Sequence, residues 1–117
     1  MKWVIDEVFL HRPEDGPFLK CGEVAPAASH GDLALEVWLR SDKDHRVTGR
    51  AFVNLSEDLD HARKFLDAIA LEDRERIVTR IGGSFKLLLQ EFRGVIVEGE
   101  PQDKDRPLGL LWKWKAA

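Results

Sequence analysis

The run "LALEVWLR" at residues 33–40 alternates without a break, and "VTGRAFVNL" at 47–55 resumes the alternation after a polar interruption. In a strand, successive side chains point to opposite faces. Leu33, Leu35, Val37 and Leu39 therefore share one face, and Ala34, Glu36, Trp38 and Arg40 share the other. In the second run Val47, Ala51, Val53 and Leu55 fall on one face. The intervening "SDKDHR" is polar, so the two runs read as an antiparallel hairpin. A sheet with one aliphatic face must bury it against another layer, and this limits what the rest of the chain can build.

The remaining segments are read around that hairpin. Residues 2–11, "KWVIDEVFLH", are rich in β-branched and aromatic types and read as a first strand. "RPEDGP" is a turn, "FLKCGEV" a short strand, and "APAASHGD" a connector of small residues and breakers. Ser56 is an N-cap, followed by Glu57, Asp58 and Asp60 where the helix dipole favours negative charge. Leu59, Ala62, Phe65, Leu66 and Ile69 then recur at helical spacing, which predicts a helix to about residue 70. "EDRERIVTRI" reads as a second helix stopped by Gly82-Gly83. Phe85, Leu88, Leu89 and Phe92 recur at i, i+3, i+4 and i+7, so residues 84–93 read as a third helix, with a strand as the alternative. "VIVEGE" and "LGLLWKWK" read as closing strands around the loop "PQDKDRP".

Strands, then helices, then strands is the order of an α+β domain. The expected fold is an antiparallel sheet of four to five strands with two to three helices packed on one face. At 117 residues it forms one domain, residues 1–117. The expected core is Leu35, Val37, Leu39, Val53, Leu55, Phe65, Leu66, Ile69, Leu88 and Phe92.

Charge and cysteine usage narrow the function. Eighteen basic and 21 acidic residues give a net charge of −3, which argues against a nucleic-acid partner, since phosphate contacts call for a basic excess. The single cysteine, Cys21, cannot form an internal disulfide and points to a reducing compartment. "MKWVIDEVFL" is interrupted by Asp6 and Glu7 and is not a signal peptide, and no run is long enough to span a bilayer. The expected location is the cytoplasm, with no membrane partner.

Recognisable chemistry is sparse. His11, His30, His45 and His61 lack metal-ligand spacing, so no metal is expected. The "DKD" segments at 42–44 and 103–105 fail the EF-hand pattern and read as charged loops. No G-x-S-x-G elbow, P-loop or dinucleotide fingerprint is present, and "RIGGSFK" reads as an interhelix break before it reads as an anion site. Cys21 reads as a small core residue rather than a nucleophile. No cofactor and no catalytic residue are expected.

The tryptophans carry the functional expectation. The chain has four and no tyrosine. Trp112 and Trp114 alternate with Lys113 and Lys115, which makes a half-buried strand with indoles inward the expected arrangement. A nucleic-acid platform would instead gather aromatic and basic side chains on one exposed surface. Trp38 lies opposite the leucines of its strand, and Trp3 and Phe52 are its expected companions in an exposed patch. Trp3, Trp38, Phe52, Arg40, Trp112 and Trp114 are thus the candidate partner-binding residues. The expected protein is a small acidic, non-enzymatic binding module: an inhibitor, an immunity-type protein, an adaptor or a homo-oligomer subunit. Its partner is another protein or itself. The alternative is a small-molecule or enzymatic pocket between sheet and helices, with His11, Arg50, His61 and Arg80 as its polar residues.

Overall fold

A computed structural model describes residues 1–11, 19–20, 23–24, 34–55, 59–81, 84–102 and 112–117. Its elements are β1 (Lys2–His11), β2 (Leu19–Lys20), β3 (Glu23–Val24), β4 (Ala34–Ser41), β5 (Thr48–Asn54), α1 (Leu59–Asp67), α2 (Leu71–Ile77), β6 (Val78–Ile81), β7 (Ser84–Leu87), a 3-10 turn (Leu89–Phe92), β8 (Ile96–Pro101) and β9 (Trp112–Lys115). The fold is α+β, with a five-stranded antiparallel sheet in the order β5-β4-β1-β8-β9. Two small ladders, β2-β3 and β6-β7, stand apart from it.

The expected hairpin forms the first part of the sheet. Leu35, Val37 and Leu39 face Val53, Ala51 and Gly49 on β5, and Leu10, Val8 and Ile5 on β1. Ile5, Val8, Leu35, Val37, Leu39, Ala51 and Val53 form one buried cluster with Ala62 and Phe65 of α1, Ile77 of α2 and Phe92 of the 3-10 turn, and Leu10 packs against it half-buried. Phe65 stacks on Phe92 with ring centroids 6.1 Å apart. Of the expected core, Leu35, Val37, Leu39, Val53, Phe65, Ile69 and Phe92 are buried, and Leu55 and Leu66 pack against the cluster half-buried. Leu88 is also half-buried, but outside that cluster. The loop closing the hairpin is folded by its own polar groups. Asp44 accepts from the backbone and the guanidinium of Arg46, and Val47 N–H donates to the Asp44 carbonyl. The Arg46 side chain first, and its backbone N–H second, hold the Asp44 carboxyl below the usual range.

Two expected helices are corrected. The stretch 72–81 is helical only to Ile77; Val78 leaves the helix with extended dihedrals (φ −107°, ψ 119°). Residues 84–93 are a strand followed by a 3-10 turn, not a helix. Val78 and Thr79 are β-branched and pair with Leu87 and Lys86, so tertiary pairing overrides the helical spacing of Leu88, Leu89 and Phe92. Gly-Gly between two such runs is a hairpin signature as well as a helix stop. The expected Ser56 cap, the Gly82-Gly83 break and the second "DKD" loop lie outside the described residues.

The sheet curls until its two edges nearly meet. Trp112, on edge strand β9, donates from Nε1 to the carbonyl of Arg50 on the opposite edge strand β5, at 2.9 Å. Trp3 meets the Trp112 ring edge-on at 5.0 Å, and Trp114 stacks on it at 5.4 Å. Glycines allow this approach. A Cβ at Gly49 would lie 2.8 Å from the Trp112 ring, and one at Gly99 would lie 2.8 Å from the Lys113 carbonyl. Gly94 is different: its φ of +81° needs glycine, but nothing lies near its absent Cβ.

Gly49→Ala and Gly99→Ala are each expected to lower unfolding free energy by about 1–3 kcal/mol through overpacking. Gly94→Ala costs about 1 kcal/mol through backbone strain alone. Urea titrations check the ranking, and a Gly49→Ala protein as stable as the wild type contradicts the indole packing.

Candidate aromatic face of the sheet

The strand alternation gives the sheet two unlike faces. One carries Leu35, Val37, Leu39, Trp3, Val97, Trp112 and Trp114, all buried. The other carries Phe9, Glu36, Trp38, Arg40, Arg50, Phe52, Ile96 and Glu98, placed by the same registers. Within β4, Trp38 is the exposed residue, at 39% of its free surface. Its orientation follows directly from the alternation in "LALEVWLR".

Trp38 is held from three sides. Its Nε1 donates to Glu36 Oε1 at 2.9 Å. The Arg50 guanidinium, from the residue opposite on β5, lies over the ring with Cζ 3.7 Å from its centroid. Such stacking of a guanidinium on an indole is a cation–π contact. Phe9 on β1 meets the indole edge-on at 6.4 Å and is itself 46% exposed. Two further apolar side chains, Val47 and Ile96, are exposed elsewhere along the hairpin and β8.

Ion pairs surround this aromatic centre. A β-bulge between Ile5 and Glu7 leaves Asp6 without a cross-strand partner, and its carboxylate instead accepts from Arg40 Nε at 2.6 Å. Arg40 also contacts His45 Nδ1 at 3.0 Å. Arg93 pairs with Glu7, and Lys115 with Glu98 at 3.5 Å. Arg50 makes no ion pair among the described residues, and its Nε is buried with no hydrogen-bond partner.

The six expected site residues therefore separate. Trp38 and Arg40 lie on the open face, as their strand positions imply. Trp3 does not join them: it pairs with Ser41 and Val97, lies on the opposite face, and donates from Nε1 to the Gly99 carbonyl inside the core. Phe52 shares the face of Trp38 but is 1% exposed and offers a partner almost no area. Trp112 and Trp114 line the inside of the curl, with their strand's lysines outward. Sequence reasoning missed Phe9 and Arg50 as members of this centre. The signal was present in the alternation of β1, where Phe9 falls on the face away from Val8 and Leu10.

A second concavity lies where the alternative reading placed a pocket. A cleft of about 290 Å³ between α1 and β9 is lined by Asp60, His61, Lys64, Gln102, Trp112, Lys113 and Trp114. His61 Nε2 accepts from Trp114 Nε1 at 2.8 Å, so that nitrogen carries no proton and is already engaged. Lys64 is paired to Asp60 at 3.3 Å. The side chains of His11 and Arg80 lie outside the described residues. Among the described residues, no group of histidines, cysteines and carboxylates is arranged to hold a metal ion, and no helix is long and apolar enough to cross a membrane. Comparison with protein-family models, with curated proteins and with solved structures finds no match to this chain.

Removing an exposed and a buried indole separates the two faces. Trp38→Ala is expected to change stability by less than about 1 kcal/mol, and Trp3→Ala to cost about 3–5 kcal/mol. Thermal and urea unfolding of both variants checks this; equal losses contradict the assignment of faces.

Proposed function

We propose that this protein is a non-enzymatic protein-binding module that uses the open face of its sheet. In this reading a partner completes the uncovered part of that face around Trp38 and Phe9, beside Ala34, Glu36, Phe52 and Asn54, which the chain itself already buries. The single observation behind it is the exposed Trp38–Phe9 pair at the middle of that face. Aromatic side chains ringed by polar groups are the common anatomy of binding hot spots. The indole is pre-ordered by Glu36 and Arg50, so little side-chain entropy is lost when a partner covers it. Trp38 and Arg40, two of the sequence candidates, sit in this centre and its rim. Trp3, Trp112 and Trp114 support it from beneath by holding the curl. A chain with one cysteine suits a reducing compartment such as the cytoplasm.

A second reading rests on a different feature of the same face. Trp38 and Phe9 share it with Arg50 and Arg40, and aromatic rings beside cations are where unpaired bases stack. It carries less weight because Arg40, Arg93 and Lys115 are already paired with carboxylates and the net charge is −3. The cleft beside His61 would serve the pocket alternative, but its histidine is committed to Trp114 and its Lys64 to Asp60.

Light scattering on the wild type and a Phe9→Ala, Trp38→Ala double variant tests the proposal together with affinity capture from the native host. The expected result is either a homo-oligomer that the double variant dissociates or a co-purifying protein that it fails to retain. A wild-type monomer that retains nothing beyond the double variant contradicts the proposal. Salt-sensitive binding of an oligothymidine by the wild type, lost in the double variant, favours the second reading.

A further inference from the structure

Among the described residues, the cation at the aromatic centre of the open face, Arg50, has no counter-charge. Arg40 pairs with Asp6, Arg93 with Glu7 and Lys115 with Glu98. Lys2 and Lys113, on the same face by register, make no ion pair among the described residues but stand opposite Glu98 and Glu100, away from the aromatic centre. Arg50 forms no ion pair among the described residues, and its buried Nε has no acceptor. Its guanidinium rests on the Trp38 ring at 3.7 Å. Stacking uses the flat face of a guanidinium and leaves the N–H groups in its plane free to hold an anion through paired hydrogen bonds. Glu36 accepts from Trp38 Nε1 and fixes the ring on which Arg50 lies.

We propose that the face takes an acidic peptide segment of a partner protein, whose carboxylate is received by Arg50 and whose adjoining apolar side chain packs on Trp38 and Phe9. This rests on the protein-binding reading and adds the partner's chemistry to it. Charge complementarity decides the ligand. A carboxylate beside an apolar residue answers the unpaired Arg50 guanidinium next to two exposed rings. A polyanion does not fit as well, because its neighbouring charges would meet Glu36, Asp6 and Glu7 on the same face.

Selection from a display library of short random peptides, run in parallel on the wild type, Arg50→Met and Trp38→Ala, tests this. Arg50→Met keeps the apolar stem and removes the charge; Arg50→Lys keeps the charge without the planar fork. Circular dichroism and urea midpoints establish that each variant is folded. The wild type is expected to enrich Asp or Glu next to Leu, Phe or Trp. Fluorescence anisotropy should then show the selected peptide binding at least about ten-fold more tightly than its Asn or Gln counterpart. Arg50→Met should bind the two forms alike, Arg50→Lys should retain part of the preference, and Trp38→Ala should lose both. Apolar peptides enriched with no acidic preference overturn the inference and leave the protein-binding reading standing. Acidic peptides held equally well by Arg50→Met overturn it too, since the carboxylate is then read elsewhere. No enrichment by the wild type overturns both, and tight oligothymidine binding in its place moves the face to the nucleic-acid reading.

Discussion

The hydrogen bond from the Trp112 indole to the Arg50 carbonyl joins strands that are four places apart in the sheet order. A flat five-stranded sheet would hold its edge strands far beyond the reach of one side chain, since each neighbouring pair is spaced by about 4.8 Å. The sheet must therefore curl, and the curl needs an interior filled by large rings. Trp3, Trp112 and Trp114 supply it, with Phe65 tilted against Trp114 at 4.8 Å. Gly49 supplies the missing volume on the receiving strand. The same bond occupies a carbonyl on edge strand β5, which blunts that edge against pairing with other chains.

Two consequences follow for the rest of the molecule. The concave side has its apolar surface consumed internally, and α1 closes it through Ala62 and Phe65. The convex side receives whatever each strand's alternation leaves over. On β4 that remainder is Glu36, Trp38 and Arg40, on β5 Arg50 and Phe52, and on β1 Phe9. The registers that seal Leu35, Val37 and Leu39 thus turn Trp38 and Phe9 away from the core, and these two are exposed while Glu36 and Phe52 beside them are buried. Arg50 links the two sides: its carbonyl is tied to the indole inside the curl and its guanidinium lies on the indole outside.

The legible part of this fold is the part written in period two. The direction of every side chain in β4 follows from "LALEVWLR", and the inward placement of Trp112 and Trp114 follows from "WKWK". The illegible part depends on contacts distant in sequence. Nothing local shows that Trp3 would pair with Val97 and face the core, because β1 alternates imperfectly across the Asp6 bulge. The bulge shifts the strand by one residue, and a shift of one exchanges faces. The β6-β7 ladder was hidden for another reason: "VTRI" and "SFKL" are short, and their apolar residues also satisfy helical spacing. The aromatic centre was half visible. Trp38 was available from its own strand, whereas Phe9 and Arg50 needed the cross-strand register.

One indole of the four faces solvent and the other three fill the curl. Labelling the chain with 5-fluorotryptophan and adding a soluble gadolinium chelate measures this directly. Of the four fluorine resonances, one should relax strongly, and it should be the resonance that Trp38→Phe removes. A strongly relaxed signal from Trp3, Trp112 or Trp114, or a shielded Trp38, would contradict both the curled core and the open face built on it.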